Sequence, residues 1–383
     1  MDATATRVLY VAAEAVPFAK AGGLGDVAGA LPAALRRLGV DVRLMIPAYP
    51  SALSQIRDVQ TIAQFAGDQW PGPLDVIEGT SIRDRVPVFL VRSHYFDRAG
   101  GPYSDEHGDL WPDDAERFAA LCYAAARLVN ETHDWRPHVV HANDWHTALI
   151  PSLLSKTGAS GVPTLLTIHN AAYHGSATAE QLRQFGVPAA QLRPAKASHS
   201  FLELGVRHAT RLSTVSPTYA KEIQTKRFGS GLQRLYAGRA AALTGILNGV
   251  DYSIWDPSQD ALIARAFDAS DLSGKAECKA AVQAEMRLDT ASFAPLLGIV
   301  SRLTQQKGLD LVLRIADVLI TAGARMVVLG QGEAELERAF EELAVRYPTR
   351  IAVRVGFDEA LAHRITAGAD IFLMPSRFEP CGL

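Results

Sequence analysis

The chain has 383 residues, of which 48% are hydrophobic, and a formal net charge of -3. That length supports two or three domains with sizeable cores, and the near-balanced charge argues against the broad basic surface that nucleic acid demands. No uninterrupted apolar run approaches a membrane span, and the three cysteines, Cys122, Cys278 and Cys381, are odd in number and far apart, which speaks against structural zinc and for a reducing, cytoplasmic compartment.

The first strand is expected by Arg7, with no room before it for a basic-apolar signal peptide. Short β-rich apolar runs predict strands over Val8–Ala13, Val42–Ile46, Val88–Val91, Val139–Ala142, Thr164–Ile168 and Leu212–Val215. Helical spacing predicts helices over Val27–Leu38, Ala115–Val129 and Thr147–Ser155. The strands are apolar almost throughout, as in parallel sheets buried on both faces. Alternation of strand and helix predicts a doubly wound α/β fold.

From Asn248 to Thr290 the rhythm breaks into Asn-Gly, Asp-Pro and charged residues, followed by a helical stretch. Then it restarts: strand Leu297–Val300, helix Leu309–Thr321, strand Met326–Leu329, helix Glu333–Val345, strand Ile351–Val355, helix Glu359–Ala367 and strand Ile371–Met374. The predicted division is a first domain over residues 1–247 and a second over residues 248–383.

Three clusters stand just after predicted strands, where open α/β sheets bind their ligands. After the first strand comes Lys20-Ala21-Gly22-Gly23-Leu24-Gly25-Asp26. Such glycines let backbone N–H groups approach an anion at a helix N-terminus, but the glycines alone favour a tight strand-to-helix turn with a solvated lysine. It is no Walker A loop, because the lysine precedes the glycines. It also misses the dinucleotide fingerprint, and no acidic residue ends the second strand, Met45-Ile46-Pro47.

The second cluster is His141-Ala142-Asn143-Asp144-Trp145-His146, with His169-Asn170 after the next strand. These groups serve as helix caps and turn residues, as partners for sugar hydroxyls, or as metal ligands. No HExxH or Cys-His spacing favours the metal. The third cluster, Ser301-Arg302-Leu303-Thr304-Gln305-Gln306-Lys307-Gly308, opens a helix. Cations there oppose the helix dipole unless an anion lies between them, so the loop is either an exposed basic turn or a diphosphate clamp. Only 8 of the 38 basic residues are lysine, which gives Lys307 weight. A second glycine turn, Gly330-Gln331-Gly332, is placed to line the same crevice. The chain closes on Pro375-Ser376-Arg377-Phe378-Glu379-Pro380-Cys381-Gly382-Leu383, which delivers a carboxylate and a thiol into a turn after the last strand.

Taken in order, these motifs, with Thr214-Val215-Ser216-Pro217-Thr218-Tyr219-Ala220 and Leu247-Asn248-Gly249-Val250-Asp251, resemble bacterial glycogen synthases and plant starch synthases. The resemblance runs along essentially the whole chain. It implies a retaining GT-B glucosyltransferase: two Rossmann-like domains with parallel sheets facing across a cleft, which close on the donor. The implied reaction moves glucose from ADP-glucose to the non-reducing end of an α-1,4-glucan such as glycogen. No metal or other cofactor is implied. By resemblance, Arg302 and Lys307 hold the donor diphosphate, and Lys20 with Gly22 and Gly23 faces the same pocket. Glu379 contacts the glucose near its anomeric centre, His169 bonds the transferred glucose, and Asp144 orients sugar hydroxyls. Asn248 and Cys381 complete the substrate-binding set.

Two departures from the family pattern stand out. The family has a second glutamate eight positions after Glu379 and most of a further half-domain, so the second domain is expected to be incomplete and the Glu379 turn poorly anchored. A span ending at Leu383 is accordingly expected to fall short of a competent synthase, and an impaired fragment or glucan-binding remnant is the alternative. In His94-Tyr95-Phe96-Asp97-Arg98, Phe96 stands where the family often has tyrosine. UDP-sugar enzymes of the same architecture share the Arg…Lys clamp but not the first two clusters, and a dinucleotide oxidoreductase lacks its ribose-binding acid.

Overall fold

The computed structural model describes residues 5–66, 70–131, 135–157, 161–193, 197–290 and 293–382. Its chain forms two compact units, Met1–Gly249 with Pro380–Leu383, and Val250–Glu379.

The first unit contains strands β1 (Arg7–Val11), β2 (Asp41–Pro47), β3 (Ile56–Phe65), β4 (Leu74–Ser81), β5 (Pro87–Arg92), β6 (Val139–Asn143), β7 (Thr164–Ile168), β8 (Ser176–Thr178), β9 (Ser198–Ser200), β10 (Arg211–Thr214) and β11 (Leu243–Gly245). Its helices are α1 (Gly23–Arg37), α2 (Asp114–Asn130), α3 (Ile150–Thr157), α4 (Ala179–Gln184), α5 (Phe201–His208), α6 (Pro217–Glu222) and α7 (Gln233–Gly238). The main sheet runs β11-β10-β7-β6-β1-β2-β5-β4-β3, while β8 and β9 pair separately. From β11 to β5 every pairing is parallel. β1 lies at the centre, and Leu9, Tyr10 and Val11 are fully buried.

The antiparallel flank β5-β4-β3 departs from the all-parallel expectation. β3 is an edge strand whose residues from Arg57 to Thr61 are exposed, and β4 alternates between buried and half-buried positions. Strands with water on one side lack the continuous apolar signal that marks a doubly covered strand.

The second unit holds α8 (Ser273–Glu285), β12 (Leu296–Val300), α9 (Leu309–Thr321), β13 (Arg325–Gly330), α10 (Ala334–Arg346), β14 (Ile351–Val355), α11 (Glu359–Gly368) and β15 (Ile371–Phe372). The sheet order is β14-β13-β12-β15, all parallel. Alternate strand residues point to opposite faces. Leu297, Ile299, Met326 and Val328 pack with Leu309, Val312 and Phe340 from α9 and α10. Leu296, Val327 and Leu329 pack with Val282, Leu361 and Ile365 from α8 and α11. Helices therefore cover both faces. The irregular stretch before α8 is tied to α11 by a ring stack: Trp255 lies 3.7 Å from His363, whose Nδ1 is 2.6 Å from Asp260 Oδ2.

In each of the two larger sheets the first strand has later strands on both sides. The order reverses at β1, between β2 and β6, and at β12, between β13 and β15. Beyond the carboxyl ends at such a reversal the following loops diverge and leave a crevice.

Gly330, the last residue of β13, lets the chain cross the β12 loop at close range. A Cβ there would stand 1.9 Å from the Ser301 carbonyl oxygen. Gly330→Ala is expected to destabilise the second unit by about 2–3 kcal/mol through overpacking. Urea unfolding checks this, and an unchanged midpoint would reject the close approach.

Candidate active site

In the second unit, β12 leads into Ser301 and Arg302, then a 3-10 turn over Gln305–Lys307, and Gly308 opens α9. Gly308 has φ +67, and a Cβ on it would lie 2.2 Å from the Pro375 carbonyl oxygen. A side chain is thus excluded twice, by backbone conformation and by space. The chain after β15 crosses this loop and is stitched to it. The Arg377 amide donates to the Gln306 carbonyl at 2.9 Å. The Arg377 guanidinium grips Asp310 with two bonds of 2.6 and 2.7 Å and donates to the Gln305 carbonyl at 2.8 Å.

This stitching delivers Glu379 to Lys307. The ammonium lies 2.7 Å from Glu379 Oε2, and the Ser376 hydroxyl donates to the same oxygen at 2.9 Å. The expected poor anchoring of the Glu379 turn is therefore corrected: its hold comes from the loop before α9. The Arg302 side chain is exposed on the same loop. The Gly330-Gln331-Gly332 turn lies against that loop, with the Leu303 amide donating to the Gln331 carbonyl at 2.9 Å.

In the first unit the second cluster gathers beyond β6 and β7. Asp144 is buried and has φ +61 with an extended ψ, a conformation that a non-glycine residue adopts only under strain. Its Oδ1 has no hydrogen-bond partner. Burial pushes its carboxyl up to about 7, although the amides of Asn170, Trp145 and His169 favour the ionised form.

His169 Nε2 lies 3.1 Å from Asn143 Oδ1. The Asn143 amide nitrogen already donates to the carbonyls of Val11 and His141. Its oxygen must therefore accept, and the network assigns the proton of neutral His169 to Nε2. Burial, then the nearby His141, depresses His169 to about 3. His141 is likewise lowered to about 4 by burial, and its Nε2 meets Thr167 Oγ1 at 2.7 Å. His146 is a core residue, stacked on Tyr103 with ring centres 4.8 Å apart. Among the described residues no three His, Cys, Asp or Glu side chains are grouped to hold a metal ion.

The glycine turn after β1 holds a surprise. The amides of Ala21 and Gly22 donate to Oε2 of Glu14, a buried residue of this same unit. Two amides of the turn are thus given to an internal carboxylate. Lys20 pairs with Asp26 in the first turn of α1 at 2.9 Å, and Gly22 caps that helix with Gly23 as its first residue. Burial raises Glu14 to about 7. The sequence carried one signal for it: an acid inside the apolar run Ala12-Ala13-Glu14-Ala15-Val16. Tyr103, which donates to Glu14 Oε1 at 3.0 Å, had no such signal.

Asn248 is half-buried just past β11. Cys381 packs against the core of the first unit, beside Pro380, whose carbonyl accepts from the Ser216 hydroxyl at 2.6 Å. Phe96 is fully buried, edge-on to Tyr49.

Comparison with known proteins supplies the class. A family model described as starch synthase catalytic domain matches residues 7–238, and one described as glycosyl transferases group 1 matches residues 294–383. The chain is 31% identical to the catalytic domain of starch synthase IV from Arabidopsis thaliana, solved with ADP and acarbose, with a TM-score of 0.88 over 99% of this chain and 80% of that one. A glycosyltransferase from Rickettsia africae, 12% identical with a TM-score of 0.53 over 97% of this chain and 73% of that one, shares the fold alone. Two Rossmann-like parts with mostly parallel sheets make this an α/β glycosyltransferase of the GT-B type. Glycogen synthase from Dechloromonas aromatica is 45% identical over 98% of this chain and 78% of its own length. Glycogen synthase from Paramagnetospirillum magneticum is 46% identical over the same shares. The chain belongs to the family of bacterial glycogen synthases and starch synthases.

The raised pKa of Asp144 has a consequence for stability. Below about pH 3 the folded and unfolded forms are both largely protonated. Between about 4 and 7 the unfolded carboxyl ionises while the folded one keeps its proton, so stability falls as pH rises. Asp144→Asn removes this loss, which is on the order of a few kcal/mol when complete. The variant is expected to melt above the parent at pH 8, with the gap closing toward pH 4. A gap of constant size across that range would contradict the burial argument.

Proposed function

We propose that this glucosyltransferase carries glucose from ADP-glucose to the non-reducing end of an α-1,4-glucan such as glycogen, with retention of the α configuration. The observation that carries the reading is the Lys307–Glu379 pair beyond the carboxyl ends of β12 and β15. It puts a cation and a carboxylate side by side where the sheet reverses, in a chain of this family.

The chemistry calls for both charges. As the bond between the anomeric carbon and the diphosphate oxygen breaks, its electron pair goes to the phosphate and positive charge grows on the sugar. Lys307 and Arg302 would take the diphosphate, and Glu379 would face the sugar near its anomeric centre. The acceptor hydroxyl oxygen forms the new bond on the same face, and its proton passes to the leaving phosphate oxygen.

His169, neutral at working pH, would bond glucose hydroxyls. The buried Asp144 would orient sugar hydroxyls with its unpartnered oxygen. Lys20, carried by the Gly22-Gly23 turn, would contribute a further cation toward the donor, and Asn248 and Cys381 would line the substrate site. In this reading the fixed cations replace a metal ion. The three free cysteines fit a cytoplasmic location.

Lys307→Ala is expected to lower kcat/KM by about 100- to 1000-fold, as for loss of a main electrostatic contact to a developing charge. Near-normal kinetics in that variant would remove Lys307 from the clamp.

Turnover is expected to survive exhaustive treatment with EDTA. Loss of activity on chelation, restored by magnesium or manganese, would show that the cationic clamp is insufficient.

A further inference from the structure

We propose that Glu14 is a positioning residue: held by Tyr103, it grips the turn after Lys20 and sets the direction in which the Lys20 side chain leaves the backbone. The inference rests on the reading of Lys20 as a donor-side cation. The Glu14 carboxylate accepts from the amides of Ala21 and Gly22, the two residues directly after Lys20. Its other oxygen accepts from the Tyr103 hydroxyl at 3.0 Å. Glu14 is 2% exposed, a place where a carboxyl is costly unless several donors converge on it. Burial pushes it up to about 7, so packing alone would favour an apolar residue here.

Tyr103 is itself placed by a buried cation. Arg117 on α2 donates from Nε to the Tyr95 carbonyl at 3.2 Å and from Nη1 to the Pro102 carbonyl at 2.9 Å. These bonds pin both ends of the segment leading to Tyr103. The chain of contacts runs from α2 through Tyr103 and Glu14 to the backbone beside Lys20. Two amides of the turn are engaged by Glu14, and the Lys20 ammonium itself rests 2.9 Å from Asp26 in the first turn of α1.

The test is a double-mutant cycle with ADP as the ligand, read by calorimetric Kd on the purified protein. Tyr103→Phe removes one hydroxyl and keeps the ring stacked on His146. Glu14→Gln keeps the shape and removes the charge. Lys20→Ala removes the group that both are argued to position. Tyr103→Phe and Glu14→Gln are each expected to weaken ADP binding about tenfold, the worth of one well-placed hydrogen bond. In the Lys20→Ala background the same changes are expected to alter Kd less than about twofold, because the positioned group is gone. A full tenfold effect repeated in that background overturns the proposal and leaves Glu14 a merely structural residue. Unchanged binding in Lys20→Ala itself defeats the underlying reading of Lys20, a different result. If Glu14→Gln lowers Tm by more than a few degrees, Tyr103→Phe alone completes the cycle.

Discussion

A carboxylate can be buried only where donors converge on it, and that constraint organises both units of this protein. Glu14 and Asp144 stand beyond the ends of β1 and β6, neighbouring strands at the sheet reversal. Glu14 is held by two amides of the following turn, Asp144 faces the amides of Asn170, Trp145 and His169, and each is still raised to about 7 by burial. Glu379 is solved differently, with an ammonium and a hydroxyl on one oxygen. The glycines, the strained Asp144 backbone and the crossing of Gly308 by Pro375 all serve to bring those donors within reach.

The clusters of the two units differ in character as a result. Around Asp144, His141 and His169 the groups are buried or half-buried and neutral or nearly so, suited to hydroxyl partners that must be bonded one by one. Around Lys307 the charges are only partly buried, suited to an anion that arrives with its own strong field. A sugar nucleotide presents both demands in one molecule.

The second unit was legible nearly to the residue: α9 and β14 coincide with the apolar periods that predict them. There, each element is covered on a fixed side and the hydrophobic pattern records it. In the first unit β3 escaped because an edge strand facing water carries no continuous apolar run, and β4 because Asp75 and Glu78 interrupt its own. The Lys307 loop and the Glu379 turn were visible as charged residues following apolar strands, but their 2.7 Å pairing was not, since it depends on Arg377 reaching Asp310 across 67 positions of sequence. Tyr103 was invisible for a related reason. Its segment has no period, and its place is set by Arg117, a cation inside a helix that otherwise reads as an ordinary amphipathic one.

Asn143 shows how much one neutral side chain can decide. Its nitrogen is committed to two carbonyls, on β1 and β6, so its oxygen has only one role left toward His169. The imidazole is thereby polarised in a fixed sense: it gives a proton's worth of hydrogen bond at Nε2 and can only receive at Nδ1. Through one amide, the hydrogen bonding of two adjacent strands becomes a one-way orientation of the ring. That orientation holds without any charge, and so without any dependence on salt.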